Sequence, residues 1–397
     1  MRLFLTFALL LPVSASGQGP REISRADAIA AALARGPRAA LARADSAAAR
    51  GDLAAARAFA NPTLSASYTK AVPRYHYILD IPVDWPWVRA PRVGAARAGA
   101  EAEGARYAFE VAAVRFDADT AYTVALAALA HSRLSRRNAL DADSLLRVAR
   151  LRRDAGDASE MDTRLAEINA GELANTAAED SLTAVAALLN LQLVMGLPGD
   201  STVALHDSLE LPATGADQVP PEPLAVVEAR AQLQAAERVL SLQRSANLFS
   251  PSVQVGVERG DPTGSEPGAL PTIGVALPLP IFNWNGGAIA RARADRDAAA
   301  IRLDATRRAA AAAHARAVGE RAVALARARR DAGLVTSADS VAAMFLKAYA
   351  EGAVSLPDVL EAQRNAREAL ARYVDDLALA NTAVGFVRLL DASEVGP

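Results

Sequence analysis

Four stretches of this chain alternate apolar and polar residues with a period of two, and long segments between them carry apolar residues at helical spacing. Leu64, Ala66 and Tyr68 alternate with Ser65, Ser67 and Thr69, and Tyr75, Tyr77, Leu79, Ile81 and Val83 form one side of the next stretch. Later, Val253, Val255 and Val257 alternate with Gln254, Gly256 and Glu258, and Ile273, Val275, Leu277 and Leu279 share a face. Such alternation predicts half-buried strands. At about nine to eleven residues each, they suit a small soluble sheet or a transmembrane barrel with lipid outside and water inside, and the pattern alone favours neither. Four strands cannot close a barrel, and lipid does not tolerate an open edge, so a membrane reading requires an oligomer.

The remaining pattern is helical. A first helix is expected from Ser24, a suitable N-cap, to Phe59, stopped by Asn61-Pro62, and its counterpart runs from Pro223 to Leu248. Trp85-Pro86-Trp87 and Asn283-Trp284-Asn285-Gly286-Gly287 mark abrupt turns into helix, with aromatics suited to a headgroup boundary or to packing on a neighbouring helix. From Arg92 to Asp154 and from Ala288 to Ala350 no proline interrupts an alanine-rich pattern; each helix would be roughly 95 Å long. Returning helices carry stripes at spacings of three and four, including Met161, Leu165, Ile168, Leu182, Val185 and Leu189, then Leu356, Val359, Ala366, Leu370, Tyr373 and Leu377.

These elements occur twice. Pro82 and Pro278 correspond, and Gly156, Ser159 and Asp162 correspond at the same offset to Gly352, Ser355 and Asp358. Asn61-Pro62 and Ser250-Pro251 correspond at a shorter offset, because GDPTGSEPGALP lengthens a loop of the second copy. The expected organisation is a signal peptide over 1–17, a first repeat over 18–195, a proline-rich connector over 196–222, a second repeat over 223–390 and a tail over 391–397. The fold class is mainly α with a small β part, each repeat running helix, strand, strand, long helix, helix.

Arg2, an apolar run from Leu3 to Val13 and small residues at Ser14 to Gly17 read as a secretory signal, too short to span a bilayer. No later segment has the length of uninterrupted apolar sequence that a membrane helix needs, so integral membrane contact would fall to strands. The absence of cysteine excludes disulfides, thiol catalysis, thiolate metal sites and an acylated N-terminal cysteine. A formal net charge of -2, with basic and acidic residues interspersed, argues against a nucleic-acid partner. His76, His131, His206 and His314 lie in different elements without ligand-like spacing. No phosphate loop, nucleophile elbow or paired zinc motif appears, and no helix follows GDPTGSEPG to cradle a phosphate. No catalytic residue, cofactor or metal site is therefore expected, and the chain reads as a non-enzyme.

At the far end of each long helix, Gly156 and Gly352 suit a left-handed C-terminal cap, and Ser159 and Ser355 suit the N-cap of the next helix, with Asp162 and Asp358 three residues on. Capping alone accounts for these residues, and a functional role can coexist with it, because helix ends would form the rim of a tube.

The strands NPTLSASY and SPSVQVGV, the segment LPLPIFNWNGGAIARARA entering a long helix, and AYAEGAVSLPDVLEAQRNAREAL at the second turn resemble the TolC-type outer membrane efflux factors over essentially the whole mature chain. The resemblance implies a homotrimer whose twelve strands form one barrel in outer membrane lipid and whose long helices form a hollow barrel crossing the periplasm. It implies docking on a periplasmic adaptor and an inner-membrane pump of the RND or ABC type, and conduction of substrate outward in efflux or type I secretion. It places Tyr349, Asp358 and Glu361 at the periplasmic entrance, with Asp162 opposite, and Gly156, Ser159, Gly352 and Ser355 at the tip turns that meet the adaptor. Where the best-known member has an arginine five residues after the tyrosine, this chain has Val354, so the entrance is expected to be held differently or more loosely. The short chain and missing acyl-anchor cysteine are similar to the heavy-metal cation-efflux branch, but methionines are few, and metals, drugs and polypeptides all stay open as cargo. The competing reading is a soluble periplasmic coiled-coil adaptor or binding protein, which explains the signal, helices and turns but not the duplicated strand pairs.

Overall fold

A computed structural model of the chain describes residues 21–199, 201, 203–213, 222–246, 250–260 and 268–392. The expected signal peptide, the middle of the connector, the tail beyond Ala392 and most of the GDPTGSEPG loop lie outside the described residues. In the first repeat, β1 (Arg21–Ile23) leads into α1 (Arg25–Arg35) and α2 (Pro37–Arg57), then β2 (Thr63–Tyr68), β3 (Tyr75–Pro82), α3 (Pro86–Asp154) and α4 (Glu160–Met195). After β4 (Val203–Leu205), the second repeat runs α5 (Leu224–Ser245), β5 (Ser252–Arg259), β6 (Ala269–Ala276), α6 (Gly286–Ala350) and α7 (Leu356–Leu390).

Ser24 caps the first helix as expected, accepting from the Asp27 N–H at 3.2 Å. The single helix expected from Ser24 to Phe59 is instead two, because Gly36-Pro37 breaks it. Pro37 has no N–H to continue the ladder, and a side chain on Gly36 would place its Cβ 2.8 Å from the Val194 carbonyl oxygen. The second piece ends at Arg57, so Phe59 lies beyond it and Asn61-Pro62 follows rather than causes the stop. In the second repeat, α5 is unbroken and ends at Ser245; the expected end at Leu248 is outside the described residues.

The long helices begin earlier than Arg92 and Ala288. The first starts at Pro86, which at the first helical position loses no hydrogen bond, and it tolerates Pro91 near that end. At 69 and 65 residues, they are about 100 Å long. Within the chain α3 packs on α4, α6 on α7, and α3 on α7. This leaves α4 and α6 as outer flanks. The core is thin and alanine-rich, in separate clusters along the helices. One gathers Ile23, Tyr122, Leu126, Leu191 and Met195, and another joins Leu145, Leu146 and Ala149 to Tyr349, Leu356 and Val359. Small side chains let the helices approach closely without a thick core.

The strands form one antiparallel sheet in the order β2-β3-β5-β6, so each repeat contributes a hairpin and the two join through β3 and β5. They are six to eight residues long, shorter than expected; Leu277 and Leu279 continue the alternation beyond the last paired residue. Separately, β1 pairs in parallel with β4, tying the first repeat to the connector. Tyr122 holds this join, its hydroxyl donating to the Ile23 carbonyl at 2.9 Å and accepting from the Asp207 N–H at 3.3 Å. The Arg25 N–H donates to Asp207 at 2.7 Å, and its guanidinium pairs with Asp119.

Candidate functional site

Register builds the sheet into two chemically distinct faces. Leu64, Leu79, Val255 and Ile273 form one continuous cross-strand row, and Ala66, Tyr77, Val257 and Pro271 form the next. The opposite face carries Thr63, Asp80, Gln254 and Gly274 in one row and Ser67, His76, Glu258 and Leu270 in another. Asp80 accepts from Gln254 at 2.9 Å and from Ser252 at 3.1 Å, and His76 lies 3.2 Å from both Thr69 and Glu258. The apolar face is the exposed one: Leu64 is 71% exposed, Ile273 81% and Val275 69%. A sheet in water hides its apolar face; this one presents it, as strands facing lipid do.

Both edges of the sheet are also open within the chain, since β2 and β6 each pair on one side only. The outer helices match them. On α4, Met161, Ile168, Leu182 and Leu189 recur at heptad spacing and are exposed, and on α6 so are Ile301, Val323, Leu334 and Met344. The two unsatisfied flanks are different surfaces, which is the requirement for a closed head-to-tail ring.

At the far end, both tip turns close by the same hydrogen bonds. The Gly156 N–H donates to the Arg153 carbonyl at 2.9 Å and the Asp157 N–H to the Arg152 carbonyl at 2.8 Å; Gly352 and Ala353 repeat this on Tyr349 and Ala348 at 3.0 and 2.8 Å. Each glycine has positive φ, +84° and +75°, where a side chain is strained. Ser159 and Ser355 then start α4 and α7 with complete capping boxes, their N–H groups donating to Asp162 at 3.1 Å and to Asp358 at 3.2 Å. Glu361 stays exposed one turn into α7 and accepts from Asn365 at 3.4 Å.

Tyr349 is buried, 3% exposed, and held by a residue that the sequence reading did not single out. Arg152 donates to the Tyr349 carbonyl at 2.8 Å, lies 4.6 Å above its ring, and donates to the Asp157 carbonyl at 3.2 Å. One guanidinium thus spans both tip turns. Burial raises the phenol pKa above its ordinary value, with Arg152 opposing and Asp162 reinforcing the shift. Although Arg152 is close, no group stands in bonding geometry to the Tyr349 hydroxyl.

Each of the four histidines meets a carboxylate on another element: His76 with Glu258, His131 with Asp375, His206 with Glu22 and His314 with Asp391. Among the described residues, no cluster of three or more His, Asp or Glu side chains is arranged to hold a metal, and no helix is long and apolar enough to cross a membrane.

A sheet with its apolar face exposed, standing on paired helices of about 100 Å and open at both flanks, has the form of a subunit of an oligomeric barrel. The outer membrane efflux protein family model matches residues 222–390, the second repeat. Solved structures share the whole architecture. A membrane protein from Pseudomonas aeruginosa has 19% identity and a TM-score of 0.79, over 92% of this chain and 93% of that one. The outer membrane channel CmeC of Campylobacter jejuni has 16% identity and a TM-score of 0.79, over 98% and 93%. The outer membrane protein VceC of Vibrio cholerae has 15% identity and a TM-score of 0.78, over 94% and 97%. No curated protein sequence matches the chain.

Proposed function

We propose that this chain is the outer membrane channel subunit of a tripartite efflux or type I secretion machine. Three copies pair β6 of one with β2 of the next to close a twelve-stranded barrel, and their helices continue it as a hollow periplasmic tube. The observation that carries this reading is the inverted sheet, apolar outside and polar inside, with two different open edges. A soluble coiled-coil protein has no use for such a face. Substrate would enter at the tips, where a periplasmic adaptor meets the turns at Gly156, Ser159, Gly352 and Ser355 and connects them to an inner-membrane pump.

The same reading puts Asp358 and Glu361 in rings at the entrance, where threefold repetition concentrates cations by summed charge. Asp162 caps α4 beside Tyr349, and Arg152 supplies the tie between repeats that Val354 does not. The direct test is the native mass of the protein extracted from outer membranes in mild detergent. A trimer found only with detergent is the expected result, and a water-soluble monomer or dimer would overturn the reading.

A further inference from the structure

Between α3, α6 and α7, just above the tip, lies a cavity of about 450 Å³ within a single protomer. Its floor is apolar, built from Leu145, Val148, Leu346 and Leu370, and one charged side chain that lines it, Arg367, has no bonded partner. Arg367 makes no hydrogen bond or close ion pair; Asp141 and Glu368 act on it only at longer range, and Glu368 is engaged by Arg364 at 3.0 Å and approached by Arg372 at 3.9 Å. The Tyr349 hydroxyl is sealed from the cavity, with Arg152 and Asp162 as its charged neighbours. We propose that this cavity is a binding site for an amphipathic monoanion, a carboxylate or sulfonate on an apolar body, whose anionic group Arg367 takes.

The chemistry follows from what the cavity leaves unsatisfied. A half-buried guanidinium without a bonded counterion is costly, and burial holds the Arg367 pKa below the ordinary arginine value, with Asp141 and Glu368 opposing the shift from a distance. A guanidinium only donates, so the complementary ligand group accepts, and an anion accepts most strongly. The volume lies in the range of small-molecule sites, where apolar walls supply affinity and a few polar groups set orientation. Asp141 and Asp339 at the lining exclude a second negative charge, whereas Arg137, itself unpaired, steers the first one in. The site lies within one chain, so no neighbouring copy has to complete it, and a ligand there would join all three helices behind Tyr349.

The test uses the purified full protein in lipid nanodiscs, with empty discs as background, titrated with 1-pyrenebutyrate and with uncharged 1-pyrenebutanol and followed by fluorescence anisotropy. Saturable binding of the acid is expected, roughly tenfold or more tighter than the alcohol. Arg367→Gln should remove that preference, and Arg308→Gln, elsewhere on α6, should leave it unchanged. Ala343→Trp, which fills the cavity while retaining Arg367, should abolish binding and keeps the proposal testable if Arg367→Gln does not assemble. Equal binding of acid and alcohol, or undiminished acid binding by Arg367→Gln or Ala343→Trp, would overturn it.

Discussion

At Arg152, two tip turns depend on one side chain. It reaches the Tyr349 carbonyl, which already closes its own turn by accepting from Gly352 at 3.0 Å. Removing the guanidinium leaves that carbonyl bonded but takes away the polar tie between the two turns, leaving the apolar contact of Leu145, Leu146 and Ala149 with Tyr349, Leu356 and Val359 to hold the repeats together, so Arg152→Ala should loosen the entrance. Single-channel conductance of the variant in planar bilayers is expected to rise several-fold, and Tyr349→Phe should conduct as the unaltered protein does, because the lost hydroxyl bonds nothing within the chain. Glycines can be ranked in the same way. Gly352→Ala meets only left-handed strain, about 1 kcal/mol, because nothing but the flexible end of Arg152 lies near its Cβ. Gly196→Ala has the same strain at φ +68°, and its Cβ would also lie 2.4 Å from the Arg35 carbonyl oxygen. Its cost should exceed about 3 kcal/mol, read as a far larger fall in thermal midpoint. Tyr122 makes a pH prediction. Burial pushes its pKa from 10.0 up to about 12. A raised folded-state pKa means that the stabilisation is fully present below pH 10 and lost as pH rises through about 12. The midpoint advantage of the native protein over Tyr122→Phe should therefore shrink across that window and stay flat from pH 7 to 9.

Individual elements were legible where their cause is local. Capping boxes at Ser159 and Ser355 and left-handed glycines at Gly156 and Gly352 need only residues within one turn of each other, and the sequence shows all of them. Strand register was half visible: alternation identified the apolar positions but not which side would be covered, since that depends on neighbours outside the segment. The break at Gly36-Pro37 was overlooked because alanine-rich helical spacing continues on both sides of it. Arg152 was hidden because its partner is far away in sequence, yet there was a signal. Arg152 and Arg153 occupy the positions at which the second repeat has Ala348 and Tyr349. Where the copies differ, the contact between them is built; likewise His131, which bonds Asp375 across the repeats, stands at the place of Arg327, which bonds Asp376 within one. The sheet yields the element's own prediction. Val255 and Gly256 are neighbours on opposite faces. Val255→Arg puts a charge on the lipid side, costing about 2–4 kcal/mol at mid-bilayer, and should sharply lower the amount recovered in outer membranes. Thr272→Arg, on the polar side, should insert normally and alter conductance instead.

On the scale of the whole molecule, closure requires the flanks to agree. The sheet leaves β2 and β6 open, and the helices leave apolar stripes on α4 and α6, so both layers present one unsatisfied surface from each repeat. Two identical flanks would give a face-to-face dimer; two different ones give a ring where the rotation closes, and closure is what lipid requires because it tolerates no residual edge. Duplication followed by divergence therefore has a physical consequence: the internal join between β3 and β5 and the external join between β6 and β2 are related contacts, one made inside the chain and one between chains. Leu182 tests whether the helical flank belongs to the second kind. It is 71% exposed on α4 and touches little in the isolated chain, so Leu182→Asp should leave helix content unchanged by circular dichroism. If α4 packs on the α6 of a neighbouring copy, the same change buries an unpaired carboxylate in three equivalent interfaces at once, and the trimer should fall apart at a markedly lower temperature in native mass measurements. A trimer as heat-stable as the unaltered protein would mean that the stripe faces water, and that the strands alone hold the ring together.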